Sequence, residues 1–392
     1  MIVTTPNNNS FFVDSSNDVL TGKSKVSDRW ILSCVILLMV AGILAVYSSI
    51  AYFAESHNTT AFTLVFGHVV KLAIALSVML IFSKIRYDIV AGLSKYALIL
   101  SWFFLIIVTL HGTEVFGAKR FLNVAGFSFQ PSSLATISLL IYLSVKLVDK
   151  AKRGILGDFR KTFIPLIVII GVTCFLIGIE DLSSALVLMA LSLLLMFIGR
   201  VSFLQLSGFV LLGILGGYLL LSQTVERQSR IQNYVEQVIH IKSDEFALTS
   251  GYQAQQAHIA IAKGGFFGVG VGKSTQRDFL PAPYNDFIFA IIAEEYGIMG
   301  AGVILLLYLI ILIRGVTYVA KKAFDTLGAL VALACTFTFV IYGFVNAAVA
   351  TGLMPVTGLP MPFISYGGTS MLFSGMMIGI LLNISKYTKE GK

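Results

Sequence analysis

The chain has 392 residues, of which 57% are hydrophobic and only 12% charged, against about a quarter charged in an ordinary water-soluble domain. With a mean hydropathy of +0.87, these values exclude a soluble globular fold and point to an integral membrane protein. The net charge of +8 would suggest a nucleic-acid partner only if the basic residues formed a patch, and their placement argues otherwise.

Residues 1–28 are rich in Asn, Ser and Asp and lack the basic start and apolar core of a secretory signal, so the sequence predicts a disordered cytoplasmic tail. Beyond it, a template of about 20 apolar residues predicts spans near 30–53, 61–82, 96–110, 132–147, 163–179, 182–198, 203–221, 286–313, 327–350 and 365–384. Ten spans put both termini on one side. Of the 28 Lys and Arg residues, 19 fall in the tails and loops of that side, and positive charge is retained in the cytoplasm. The expected fold class is therefore all-α: a polytopic membrane domain over residues 29–392, with cytoplasmic termini and a large external loop, 222–285, between spans seven and eight. Topology thus accounts for the basic charge, and no nucleic acid is needed. The three cysteines, Cys34, Cys174 and Cys335, lie inside apolar runs and read as core filler.

Three segments face outward in this scheme: Gly112–Pro131, Ser222–Asn285 and Thr351–Gly368. The stretch "LPAPYNDFIFAIIAEEYG" (Leu280–Gly297) ends the second and sets three carboxylates around an apolar run. A continuous helix from Asp286 to Ile313 would be about 42 Å long at 1.5 Å per residue, longer than the hydrocarbon core of about 30 Å, which leaves Asp286 at the outer rim. Glu294 and Glu295 lie deeper, where a charged carboxylate costs at least about 2.5–3.5 kcal/mol. They require a polar crevice, a partner or a proton, and a buried tie between helices is the favoured reading. On local sequence, Asn285 or Asp286 is a good helix N-cap. A glycosidase pair within this helix is disfavoured, because Asp286 and Glu294 are separated by about 12 Å of rise, beyond the roughly 5–9.5 Å such pairs span.

Other signals are weaker. "GGFFGVGVGKS" (Gly264–Ser274) ends like a phosphate loop, but Phe267 stands where the Walker pattern needs Gly. Its glycines still permit close approach to an anionic headgroup, with Lys273 and Arg277 nearby. His57, His68, His111, His240 and His258 show no metal-ligand spacing. His68 and Lys71 are one turn apart in span two, which suits a polar path or, more simply, a satisfied interhelical contact. "SYGGTS" (Ser365–Ser370) reads as a helix start.

The ordered motifs "GAKRFLNVAGFSFQPSSLA", "DLSSALVL", "GYQAQQAHIAIAKGGFFGVGVGKSTQ", "LPAPYNDFIFAIIAEEYGIMG" and "GLMPVTGLPMPFISYGGTSM" resemble the SEDS family (shape, elongation, division and sporulation; FtsW, RodA and SpoVE). The FtsW branch is the nearer and RodA the next. The resemblance runs from Trp30 to nearly the end of the chain. It implies a peptidoglycan glycosyltransferase that polymerises lipid II during cell division, with the Asp of "DFIFA", here Asp286, as the essential acid residue. Arg120 and Gln130 match family positions that line the outer cavity, and Lys273, Arg277 and Ser365 complete the expected substrate-binding set. Undecaprenyl pyrophosphate would leave as an anion. No organic cofactor is implied, and a divalent cation, Mg or Mn, is left open. The implied partners are lipid II, a class B penicillin-binding transpeptidase (FtsI-like), other division proteins and membrane lipid. The implied location is the bacterial cytoplasmic membrane at the septum. A RodA-type elongation polymerase, a lipid II transporter and a membrane scaffold are the alternatives. The chain departs from the family at Ser133 and Thr136, where Glu and Lys are usual, at Phe121, at "EDLS", and at Ala282 and Tyr284.

Overall fold

The computed structural model describes residues 27–50, 60–115, 118–124, 127–221, 252–280 and 283–388, with Gln228 and Val235. The expected tail up to residue 26 and most of 222–251 lie outside the described residues. The helices are α1 (Arg29–Ser49), α2 (Ala61–Lys84), α3 (Tyr87–His111), α4 (Pro131–Lys152), α5 (Ile164–Gly178), α6 (Leu182–Ile198), α7 (Phe203–Leu221), α8 (Tyr252–Gly264), α9 (Ile288–Arg314), α10 (Thr326–Ala350) and α11 (Thr369–Lys386). Eight helical segments are long and apolar enough to cross a membrane, and α6 and α7 are shorter apolar helices. Among the described residues each of these helices overlaps one of the expected spans, and eight of them have the length and hydropathy of a crossing. Helix α8 is an addition within the expected external loop.

The boundaries follow local chemistry. Helix α1 starts where Asp28 caps it, its Oδ1 accepting from the Trp30 (2.9 Å) and Ile31 (3.2 Å) amides while Oδ2 pairs with Arg314 Nε at 3.0 Å. Helix α3 begins at Tyr87 rather than near residue 96, so Lys95 lies inside the helix instead of in a loop. Its start is anchored by the Tyr87 amide on Asn383 Oδ1 (3.1 Å) and the Tyr87 hydroxyl on Asp325 (2.9 Å). Hydropathy stops at the charges, but the helix continues through them.

Helix α10 is the hub. It packs on α4, α6, α9 and α11, and 78% of its apolar window is buried, against 22% for α2. One apolar cluster joins α1, α2, α9, α10 and α11, and a second joins α3 to α7. Leu330 and Ala334 of α10 belong to the second, so this helix ties the two halves together.

The segment Gly112–Pro131, expected as a loop, carries a three-stranded antiparallel sheet: β1 (Thr113–Val115), β2 (Ala118–Val124) and β3 (Phe127–Phe129), in the order β1-β2-β3. Leu122 pairs with Phe129 across β2 and β3. The Phe129 ring sits between Phe104 of α3 (5.4 Å) and Phe373 of α11 (6.1 Å), so the sheet is fastened to the bundle.

Candidate active site

Asp286 lies in the turn 283–287 that precedes α9. The helix is capped at Phe287 with no side-chain cap bond, so neither Asn285 nor Asp286 is its N-cap, contrary to the local sequence reading. What holds this turn is its backbone. Asn346 of α10, 1% exposed, donates from Nδ2 to the carbonyls of Asp286 (3.1 Å) and Leu359 (2.9 Å). Ser365 Oγ donates to the Asn285 carbonyl (2.7 Å) and accepts from the Met361 amide (2.8 Å). The Tyr366 amide donates to the Tyr284 carbonyl at 2.8 Å. The segment 351–368, between α10 and α11, therefore clamps residues 284–286. Ser365 belongs to this clamp and not to a helix start, since α11 begins at Thr369.

Gly358 shows what the Asp286 carboxylate faces. Its φ is +71°, and a Cβ built there would stand 3.2 Å from Arg120 Nη1 and 3.9 Å from Asp286 Oδ2. Only Gly combines that backbone with that space. Acid and guanidinium thus border one cleft, the first delivered by the turn before α9 and the second by β2.

Arg120 is aimed by the start of α6. Its Nε donates to the Glu180 carbonyl (3.4 Å), and Nη1 lies 3.9 Å from Asp181 Oδ2. Asp181 in turn caps α6, accepting from the Ser184 amide (3.2 Å) and hydroxyl (2.8 Å). The "DLSS" run carried this signal, an N-cap Asp with Ser three residues on, but sequence reasoning gave Asp181 no role. Gln130 precedes α4, and its amide donates to Thr369 Oγ1 (2.9 Å), which fixes β3 to the start of α11. Ser133 and Thr136 line a small recess together with Tyr342, Ser365, Ser370 and Ser374. Hydroxyl groups, not a charged pair, furnish this face. Burial, then Tyr366 and Asp286 nearby, push the Tyr284 phenol above its usual range, so it is a neutral donor close to Asp286.

Glu294 and Glu295 have a different task. Helix α9 is kinked at Gly297 (φ 67°, ψ −171°), not continuous. The Gly-rich loop seats on that kink: the Val269 amide bonds the Glu294 carbonyl (2.9 Å) and the Gly270 amide the Glu295 carbonyl (3.1 Å). The Glu294 carboxylate accepts from the Ser274 hydroxyl, the Thr275 amide and hydroxyl (both 3.1 Å) and the Gln276 amide (3.3 Å). Glu295 accepts from the Ser48 hydroxyl of α1. The two are buried polar ties, and the loop "GVGVGKSTQ" is the partner they required. Arg277 is tied to the Ser48 carbonyl (2.9 Å) and Asp278 (3.5 Å), and Lys273 is exposed on the same loop. Their described contacts hold this pinned loop, whereas Asp286 and Arg120 meet at Gly358 and Ser365 holds the backbone beside Asp286.

Among the described residues no three His, Cys, Asp or Glu side chains converge as a metal cluster. No chemical step below is routed through a divalent cation.

Known proteins share this arrangement of helices. A chain of the solved structure described as "Structural coordination of polymerization and crosslinking by a peptidoglycan synthase complex" superposes with a TM-score of 0.71 at 21% identity, covering 92% of this chain and 97% of that one. The Thermus thermophilus rod shape determining protein RodA gives a TM-score of 0.66 at 21% identity, with 93% and 98% covered. In sequence, the stage V sporulation protein E of Bacillus subtilis (strain 168) is 32% identical over 377 residues, 94% of this chain and all of that protein. The "Probable peptidoglycan glycosyltransferase FtsW" of Geobacter sulfurreducens is 32% identical over 368 residues, 92% of this chain and 96% of that one. The family model of the FtsW/RodA/SpoVE cell cycle proteins matches residues 28–390, and the chain belongs to this family.

Proposed function

We propose that the chain is a peptidoglycan glycosyltransferase of the cytoplasmic membrane, extending glycan strands from lipid II at the outer face during cell division. The observation that carries this reading is the convergence of the Asp286 carboxylate and the Arg120 guanidinium on the space above Gly358. Relatives at about the same identity carry the name of this activity. The distribution of Lys and Arg supports an external site, because it keeps the opposite loops in the cytoplasm.

In this mechanism Asp286 is the general base. It takes the proton from the acceptor GlcNAc 4-hydroxyl as that oxygen forms a bond to C1 of the donor MurNAc with inversion. The bond from C1 to the pyrophosphate oxygen breaks, and the electron pair leaves with undecaprenyl pyrophosphate. Pyrophosphate departs as an anion and needs no proton, which suits a site with one carboxylate at the reacting oxygen. Arg120 stabilises the developing charge on the leaving side. Gln130 and Ser365 shape the surrounding wall, and Lys273 and Arg277 act further out, on the loop pinned by Glu294. The occurrence of this fold in a peptidoglycan synthase complex supports a class B penicillin-binding transpeptidase as partner.

The test is Asp286→Asn in the purified, folded protein supplied with lipid II, with and without that transpeptidase. Loss of polymer is the expected result. Polymerisation at the wild-type rate would remove Asp286 from the mechanism, and lipid II movement across vesicles without polymer would favour a transporter.

A further inference from the structure

Beside the clamped turn lies a second polar cluster for which the mechanism above has no use. His68 of α2 is completely buried. Its ring stacks on Tyr366 at 5.6 Å and 23°, yet neither Nδ1 nor Nε2 has a hydrogen-bond partner among the described residues. The satisfied interhelical contact expected from sequence is thus only a ring stack. One turn on, Lys71 Nζ lies 3.9 Å from the centroid of the same Tyr366 ring, and among the described residues no carboxylate pairs with it. Tyr366 meets Tyr284 edge-on at 5.7 Å and bonds its carbonyl. Through Tyr366 the cluster is therefore fastened to Tyr284, two residues before Asp286.

Among the described residues the two polar groups are not compensated. Lys71 lies ten residues into α2, about 15 Å from the helix start at 1.5 Å per residue, inside an apolar span where a Lys is costly. The ring face offsets only part of that cost and supplies no negative charge. A buried imidazole with unmade hydrogen bonds adds to it. A cation and a ring N–H donor placed together in apolar surroundings suit an anion that carries several acceptor oxygens and an apolar tail.

We infer that His68, Lys71 and Tyr366 form a subsite for the phosphate head of a lipid. This inference rests on the proposed glycosyltransferase reading, in which the leaving group is a polyprenyl pyrophosphate. The cluster supplies what the cleft lacks, since Arg120 already shares its charge with Asp181 and Arg277 is held by Ser48 and Asp278. Tyr366 links the two places, so a pyrophosphate on Lys71 would hold its sugar toward Asp286.

The experiment measures binding to the full-length protein in detergent of three probes: undecaprenyl pyrophosphate, phosphatidylglycerol and uncharged undecaprenol. Wild type is compared with Lys71→Met, Lys71→Arg and His68→Phe. Lys71→Met should weaken undecaprenyl pyrophosphate at least about tenfold, His68→Phe several-fold, and Lys71→Arg little, with undecaprenol unchanged throughout. A loss confined to the pyrophosphate lipid identifies the leaving group as occupant; an equal loss of phosphatidylglycerol identifies an ordinary anionic lipid. Folded Lys71→Met that binds both phosphate lipids like wild type overturns the subsite. In the same preparations, lipid II polymerisation reports separately on the function. If wild type makes polymer and Lys71→Met neither loses binding nor raises KM, the subsite fails and the enzyme reading stands. If wild type makes no polymer but still binds phosphate lipid through Lys71, the enzyme reading fails and the subsite stands.

Discussion

Replacing Gly358 by Ala tests the cleft with one methyl group. At φ +71° a residue with a Cβ pays about 1–2 kcal/mol for the left-handed backbone. The methyl would stand 3.2 Å from Arg120 Nη1 and 3.9 Å from Asp286 Oδ2. The guanidinium is the end of a flexible side chain and needs to shift by only a few tenths of an ångström, so little is added to the folding cost. The effect expected on chemistry is larger, because the methyl takes space beside Asp286, the proposed base, and the Arg120 cation. A displacement of about 1 Å at a reacting centre costs about 10²-fold in rate. Gly154 provides the matched control, with φ +68° and no heavy atom within 4 Å of its would-be Cβ. Both variants should lose similar stability, about 1–2 kcal/mol, in thermal unfolding of the detergent-solubilised protein. Only Gly358→Ala should lose lipid II polymerisation, by about 10²-fold in a gel assay of glycan product. Equal polymerisation by the two variants would refute the assignment of this space to the reaction.

Glu294→Gln keeps one acceptor oxygen and turns the other, which takes two of the four loop donors, into an NH2 group, at a cost of about 1–3 kcal/mol; faster tryptic cleavage at Lys273 and Arg277 is the expected readout, and an unchanged rate would contradict the tie. At His258, burial lowers the imidazole pKa below its ordinary 6.5, and a hydrogen bond to the Thr351 backbone opposes this only in part. The unfolded chain then binds the proton more readily, so stability rises with pH through the window just below 6.5 and is lost as pH falls through it. Thermal unfolding between pH 5 and 7.5 should show this slope in wild type and a shallower one in His258→Gln.

The helices were legible because lipid imposes one rule on every span: about 20 apolar residues with internally satisfied backbone. The predicted and observed limits of α6 and α7 coincide, at 182–198 and 203–221. Departures arise where polar residues sit inside a helix, as at Lys95, or where a short sheet replaces a loop, as at Ala118–Val124. Helix α8 carried a visible sign in its buried stripe Ala254, Ala257, Ala260 and Gly264, set at helical spacing. The site was only half legible. A lone Asp at the start of a span reads locally as a cap, and nothing nearby in sequence says otherwise. The partners that decide the matter, Asn346, Gly358 and Ser365, lie 60 to 80 residues further along. The same holds for Glu294, whose donors come from a loop 18 to 20 residues upstream, folded back across a kink that only Gly297 permits.

The way the protein holds its acidic residues separates Asp286 from the others. Asp28 caps α1 and pairs with Arg314. Asp181 caps α6 and faces Arg120. Asp325 caps α10 and accepts from the Tyr87 hydroxyl. Glu294 caps a loop. In each of these the carboxylate itself is the structural group, and removing it leaves backbone amides unpaired. At Asp286 the clamp grips carbonyls on either side, those of Tyr284, Asn285 and Asp286, while the helix behind it starts without a side-chain cap. The fold therefore fixes the position of Asp286 through its main chain and turns the carboxylate toward the cleft at Gly358. This arrangement suits the general-base role proposed for Asp286, because such a side chain must exchange a proton at every turnover without loosening the element that carries it.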